Sequence, residues 1–341
     1  MFALPTTTAP MEAKLAADLP TGDGWQYEPK WDGFRCLAFR DGGEIALMSK
    51  SGKPLDRFFP EVVALVARLA APRFVLDGEL IITLDGATAF DALQARLHPA
   101  TSRIRKLSHE TSAQLMLFDA LAVGDTILLD APLSERRTAL ELLIAGETDP
   151  ALHLSPATTD PVTAAAWLAA SGRALDCIVA KRADGRYRPG DRAIVKVKRI
   201  RTADCVVGGF RRESGSDLVG SLLLGLYDAA GALHHVGFTS AIAAVSRAEL
   251  TARLAPLAGG SGFTGNAPGG PSRWASARAA EWVPLRPELV VEVSYDQVTA
   301  GHFRHGTGLV RWRPDKAPRQ CTCDQLAPAL RPAELAAIVG G

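Results

Sequence analysis

The chain has 341 residues, 47% hydrophobic and 22% charged, the balance of a globular protein with room for two cored domains. No apolar run approaches the length needed to cross a bilayer, and the N-terminus shows an early acid instead of a basic-then-apolar leader, so the expectation is a cytoplasmic protein without membrane contact. Lys plus Arg number 38 against 37 Asp plus Glu, so no overall basic excess advertises a nucleic-acid partner, and only a patterned face could supply one.

Residues 25–49 read as strands. Trp25–Glu28 leads into a loop at Pro29–Gly33, Arg35–Arg40 alternates, Asp41-Gly42-Gly43 makes a hairpin turn, and Glu44–Ser49 returns. PEVVALVARL at 60–69 has helical spacing, with a proline suited to a first turn. Arg73–Thr83 reads as a strand pair turning at Asp77-Gly78, Phe90–Leu97 as a short helix, and Leu115–Leu121 as a buried strand. Ser134 is placed to N-cap the helix ERRTALELLIA. Another helix covers about Pro161–Ala170, and short strands cover Cys177–Lys181 and Ile194–Arg199.

From about residue 202 the texture changes. The runs CVVGGF, SLLLGLYD, LHHVGFTS, LVVEVSYD and LVRWRP alternate with Gly-rich turns and one helix near Ser246–Leu257, which predicts a small closed barrel such as an OB-fold. The domains are therefore expected over 1–201 and 202–341, with Arg199-Ile200-Arg201 as the hinge. The stretch 259–273 reads as a mobile loop, and it neither follows a strand nor opens a helix as a phosphate cradle should. Cys36, Cys177, Cys205, Cys321 and Cys323 are odd in number and scattered, so no disulfide framework is implied, and Cys321-x-Cys323 reads as structural for want of a second ligand pair.

The chemistry starts at Glu-Pro-Lys-Trp-Asp-Gly-Phe-Arg, residues 28–35. A lysine is a poor nucleophile while protonated, and burial beside other cations frees the amine to attack. Alone, the motif is better read as a surface Lys-x-Asp pair at a turn, because so short a pattern is common. In order along the chain, however, its residues and six later segments resemble the covalent nucleotidyltransferases, the superfamily of ATP-dependent DNA ligases, RNA ligases and mRNA capping enzymes. Lys30–Arg35 resembles motif I, Ser49-Lys50-Ser51-Gly52 the element after it, and Asp77-Gly78-Glu79 motif III. Leu117-Phe118-Asp119-Ala120 resembles motif IIIa, Asp176–Lys181 motif IV, Val195–Lys198 motif V, and Arg311–Lys316 motif VI. This chain departs from the family at Asp176-Cys177, where Glu-Gly is usual, at Ile194, where an aromatic is common, and at Lys50, where arginine is commoner. The compressed C-terminal motif matches best at Arg313, Asp315 and Lys316, and less well at Arg311 and Arg304-His305.

The resemblance implies an α+β fold: a nucleotidyltransferase (ATP-grasp-like) domain of antiparallel sheets with flanking helices, followed by the OB-fold barrel. It implies that Lys30 takes AMP from ATP, with Asp32, Lys196 and Lys198 in the catalytic machinery. Glu28 would accept from the adenine N6 amine, or else be an exposed strand carboxylate. Phe118 would stack on adenine, or else serve only as packing. Arg35 and Lys50 would hold ribose and phosphate, Lys181, Lys196 and Lys198 would meet the triphosphate, and Arg313 and Lys316 would close over its outer phosphates. Lys196 and Lys198 alternate on one strand, so they share a face that either a polyanion or solvent must screen. Asp32, Glu79 and Asp176 would hold Mg²⁺ (or Mn²⁺), or else be solvated turn acids.

The expected reaction is ATP-dependent sealing of nicked double-stranded DNA in repair, by a monomer. The resemblance is to the small two-domain bacterial type, because few residues precede Lys30 and leave no room for a large N-terminal DNA-binding domain. Residues 202–341 carry 13 Lys and Arg against 12 acids, so DNA contact is expected to be patterned and salt-sensitive. An RNA ligase or a capping guanylyltransferase is the rival within the superfamily, and an inert nucleic-acid-binding module is the rival outside it.

Overall fold

The computed structural model describes residues 1–84, 87–170, 177–198, 200–242, 247–269, 281–296, 298–299, 301–303 and 306–326. The expectations for Asp176, Arg199, Ser246, Arg304-His305 and the 270–273 end of the Gly-rich stretch lie outside these residues. The chain divides after Lys198 into two compact units.

The strands of the first unit that frame its site are, in chain order, β1 (Ala13–Ala16), β2 (Trp25–Lys30), β3 (Phe34–Asp41), β4 (Glu44–Ser49) and β5 (Arg73–Ile81). They are followed by β6 (Gln114–Val123), β7 (Leu152–Leu154), β8 (Cys177–Arg182) and β9 (Ile194–Val197). The helices are α1 (Pro60–Arg68), α2 (Phe90–Arg96), α3 (Thr101–Glu110), α4 (Leu133–Ile144) and α5 (Pro161–Ala170). One sheet runs β1-β9-β8-β2, and the other runs β7-β6-β5-β3-β4.

The period-2 alternation of β3 and β5 sorts the core. Cys36, Ala38, Phe74, Leu76 and Leu80 point to the layer that α1 and α4 cover with Val62, Leu65 and Leu140. Leu37, Phe39 and Val75 point the other way and pack with Val179 and Ile194 of the first sheet. Residues on that second face of the strands therefore look into the space between the sheets.

Several local expectations change. Arg73–Thr83 is not a turning pair, because Arg73–Ile81 is one strand with a register shift between Asp77 and Gly78. A Cβ on Gly78 would lie 2.7 Å from the Met116 carbonyl oxygen, so the glycine serves close strand approach rather than a turn. Ser134 is not the N-cap of α4: the helix begins at Leu133 after Pro132, and the Ser134 amide donates to the Ala183 carbonyl at 3.0 Å. Helix α3 was not anticipated, since its mean character is polar and its buried residues are few, Ile104 and Ser108. The sheets are mostly antiparallel, yet β1–β9 and β7–β6 pair in parallel.

Among the described residues the second unit is a barrel closed by five strands, with the short strand Val283–Pro284 added to the outer side of the first of them. Its strands are β10 (Arg201–Arg212), β11 (Val219–Tyr227), β12 (Leu233–Ala241), β13 (Val290–Tyr295) and β14 (Thr307–Trp312), with α6 (Arg247–Leu254) between the third and fourth. The order is β11-β12-β14-β13-β10, and β10 closes on β11. Of these pairings β12–β14 is parallel, which is the OB-fold arrangement. At the bulge in β10 a Cβ on Gly209 would sit 2.5 Å from the Trp282 ring and 2.8 Å from the Val283 carbonyl oxygen, so glycine lets that segment pack this close to the strand. The interior is apolar, with Val206, Leu222, Leu224, Leu226 and Val291 fully buried.

Candidate active site

A cavity of about 930 Å³ opens between the two sheets of the first unit. One wall comes from Glu28 and Lys30 of β2, Val179 and Lys181 of β8, and Lys196 of β9. The opposite wall comes from Arg35 of β3, Glu79 of β5 and Phe118 of β6, and Lys50 lies at the turn after β4.

Lys30 ends β2, opposite Cys177, rather than standing in the loop beyond it. Its Nζ donates to the Trp31 carbonyl at 3.4 Å. Trp31 is buried, and its indole N–H donates to Ser155 Oγ at 3.0 Å, which pins the following turn. At Gly33 a Cβ would fall 2.1 Å from the Leu80 carbonyl oxygen, so glycine is required for the chain to lie this close to β5. That approach brings Lys30 within electrostatic reach of Glu79. Burial pushes the Glu79 carboxyl up to about 7, against the pull of Lys30 and Arg35 and with the push of Asp77 and Asp32.

Arg35 grips Asp77 with a two-pronged fork, Nε to Oδ1 and Nη2 to Oδ2, both at 2.5 Å. Tyr187 donates its hydroxyl to the same carboxylate at 2.6 Å and accepts the Met11 amide at 3.0 Å. Arg35 then lies over Phe118, Cζ 4.6 Å from the ring centroid, and Lys181 Nζ lies 4.7 Å from the same ring. Lys181 donates to Glu28 Oε2 at 2.8 Å, and Gln26 Nε2 donates to Glu28 Oε1 at 2.7 Å. Glu28 is 1% exposed, which removes the reading of it as an exposed strand carboxylate.

The remaining predicted residues separate. Lys50 pairs with Glu12 at 3.1 Å, and Arg192 approaches the same carboxylate at 3.7 Å. Lys196 lines the cavity. Lys198 follows the end of β9, which stops at Val197. Asp32 couples to Glu79 electrostatically without lining the cavity. Among the described residues no three His, Cys, Asp or Glu side chains converge as a metal cluster.

Arg313 and Lys316 belong to the barrel unit. Arg313 Nη1 and Lys316 Nζ donate to the two oxygens of Asp204 at 2.8 and 2.6 Å. Arg313 also forks onto Asp315, whose carboxyl that hydrogen bond pushes down to about 2. Sequence reasoning missed Glu12, Asp77, Tyr187 and Asp204. Asp77 stood inside a motif read for its glutamate, and the other three carried no local signal.

Two family models match the chain in tandem: the ATP-dependent DNA ligase domain over residues 9–198 and the ATP-dependent DNA ligase C-terminal region over 215–316. The chain belongs to the ATP-dependent DNA ligases. Among relatives of this ligase, DNA ligase C2 of Mycolicibacterium smegmatis is 44% identical over 334 residues, covering 93% of this chain and 94% of that protein. DNA ligase C of Mycobacterium tuberculosis is 43% identical and covers 93% of each. A solved Lig E DNA ligase superposes with a TM-score of 0.53 at 17% identity, over 89% of this chain and 99% of that one, which supports the fold. ATP is accordingly the nucleotide, and neither the capping enzyme nor the inert module remains a competing reading. No helix among the described residues is long and apolar enough to cross a membrane.

Proposed function

We propose that this ligase seals nicks in duplex DNA by carrying AMP on Lys30. The observation behind it is the convergence of Glu28, Lys30, Arg35, Phe118, Lys181 and Lys196 on one cavity between two sheets. Lys30 Nζ, as the neutral amine, attacks the α-phosphorus of ATP. A P–N bond forms, the bond to the bridging oxygen breaks, pyrophosphate leaves with the electron pair, and the nitrogen gives up one proton to solvent. Lys196, with Lys198 beyond it, meets the charge that develops on phosphate. Adenine stacks at Phe118, and its N6 amine donates to Glu28, which has roughly four acceptor sites and gives only two to Gln26 and Lys181. Arg35 and Lys50 serve ribose and phosphate, and Arg313 and Lys316 serve the outer phosphates.

The AMP then passes to the 5′-phosphate of the nick, and attack of the 3′-hydroxyl releases it. A divalent cation suits Glu79 and Asp32, because a buried carboxyl held near neutrality gains from a positive partner beside it. Those two residues, with Asp176, would hold Mg²⁺ or Mn²⁺, whose chemistry is to neutralise phosphate charge. Domains over 1–201 and 202–341 that change position between steps, a monomeric state and repair of cytoplasmic DNA complete the reading.

Intact-mass measurement with ATP and Mg²⁺ tests it. The wild-type chain gains one AMP and Lys30→Ala gains none, while Lys196→Ala and Lys198→Ala gain it slowly. Arg313→Ala impairs the reaction with ATP more than the sealing of a pre-adenylated nick. An adduct on Lys30→Ala would show another nucleophile and overturn the proposal.

A further inference from the structure

Asp204 stands near the start of β10, outside every motif that the sequence comparison uses. Its carboxylate is 12% exposed and divides its oxygens between two cations, Arg313 Nη1 at 2.8 Å and Lys316 Nζ at 2.6 Å. Its backbone is clamped as well. Gln325 Oε1 accepts the Asp204 amide at 3.0 Å, and Gln325 Nε2 donates to the Asp204 carbonyl at 3.1 Å. Asp315 takes Arg313 from the other side through Nε and Nη2. The guanidinium plane is thus fixed by two carboxylates, and the ammonium is fixed by the one they share.

We infer that Asp204 is a positioning residue for the ATP step: it holds Arg313 and Lys316 at a set spacing, as a two-cation fork for the outer phosphates. The inference rests on the proposed role of those two cations. Each side chain is long and flexible, and holding one in a single rotamer carries an entropic cost that a shared buried carboxylate meets before the nucleotide arrives. A fixed guanidinium and ammonium would recognise a triphosphate or free pyrophosphate, two sources of the same chemistry. Arg313 and Lys316 both keep donors that Asp204 does not use, since a guanidinium carries about five N–H groups and an ammonium three.

The test compares Asp204→Asn, Arg313→Ala, Lys316→Ala and their combinations, with lysine adenylation followed by intact mass across ATP concentrations. Asp204→Asn keeps the shape and loses the charge. Its adenylation efficiency is expected to fall about tenfold, mainly through a lowered kcat at saturating ATP. Added to the Arg313→Ala, Lys316→Ala double variant it should cost less than about twofold more, because both partners it positions are already gone. A merely structural role predicts the reverse, the same loss in both backgrounds together with a lowered Tm, and that additivity overturns the inference. Faster adenylation by Asp204→Asn overturns it too, since Asp204 would then be competing with phosphate. If Arg313→Ala and Lys316→Ala adenylate normally, the assignment of those cations fails; if they are impaired while Asp204→Asn is normal, only the role of Asp204 fails. Pyrophosphate-driven removal of AMP from the adenylated chain separates the two ligands, with equal losses expected in both directions.

Discussion

The cavity of the first unit presents Lys30, Arg35, Lys50, Lys53, Lys181 and Lys196 against Glu12, Glu28 and Glu79. The barrel cluster instead sets Arg311, Arg313 and Lys316 against Asp204, Glu292 and Asp315, cation for anion. The cavity keeps an excess of positive charge inside a partly enclosed space, where Coulomb interactions are strong, and it is ready for an anion by itself. The barrel cluster neutralises itself, so it adds little attraction at a distance and works through geometry once a phosphate is close. In the proposed reaction one unit would bind the nucleotide and the other would orient it. Substitutions at the buried residues of the first should change affinity and stability together, whereas those in the second should change the rate of one step.

The largest effect that would break this contrast belongs to the buried pair Lys181–Glu28, whose side chains are 5% and 2% exposed. Lys181→Met leaves Glu28 with only the Gln26 amide, and breaking a buried ion pair from one side costs about 3 kcal/mol. Chemical denaturation should show that loss, and ATP binding should fall with it. The double variant Glu28→Gln with Lys181→Met should regain most of the stability and none of the adenylation. Should the single variant melt like the wild type, the pair is not the support of the cavity that its burial indicates.

This pair also shows what the sequence made legible. Lys30, Arg35, Glu79, Phe118, Lys181 and Lys196 each sit on a strand whose alternation announces its own two faces, so ordered motifs sufficed to gather them on one wall or the other. The barrel was equally legible, because five apolar runs around one helix have few ways to bury both faces. Contacts that join distant segments were not. Asp77 reaches Arg35 across 42 residues and Tyr187 across 110, and Arg313 reaches Asp204 across 109, with no periodicity linking the partners. The Asp-Gly of 77–78 looked like a turn because that dipeptide favours turns in isolation, and the neighbouring strand overrode the preference. Strand ends escaped for a similar reason: Lys198 continues the pattern of Lys196 in sequence, but pairing stops at Val197.

A middle-sized effect sharpens the account of the cavity. Folding lifts Glu79 from 4.5 to about 7, so the folded chain holds more protons than the unfolded chain between those values. Its contribution to stability therefore declines as pH rises from 4.5 to about 7 and levels off above. Glu79→Gln stays neutral and escapes the decline. In metal-free, nucleotide-free buffer the variant should gain on the wild type by about 1 to 2 kcal/mol between about pH 5 and about pH 8, a size reduced because Glu79 is partly open to the cavity. A constant difference across that range would mean that the carboxyl is already ionised at low pH.

The smallest effect concerns Glu12, which draws Lys50 and Arg192 together at the cavity wall. Lys50 is 60% exposed, so the pair adds little to stability, and Glu12→Ala should melt within error of the wild type. Its removal does add one positive charge to a wall that already has an excess. ATP should then bind about twofold more tightly at low salt, with the gain shrinking as the Debye length falls toward about 3 Å near 1 M salt. The same change in the barrel, Glu292→Ala beside Arg311 and Arg313, should leave ATP affinity in the binding unit untouched and alter only the rate of lysine adenylation. If both variants raise affinity alike, charge rather than placement governs the two clusters, and the division between a binding unit and an orienting one dissolves.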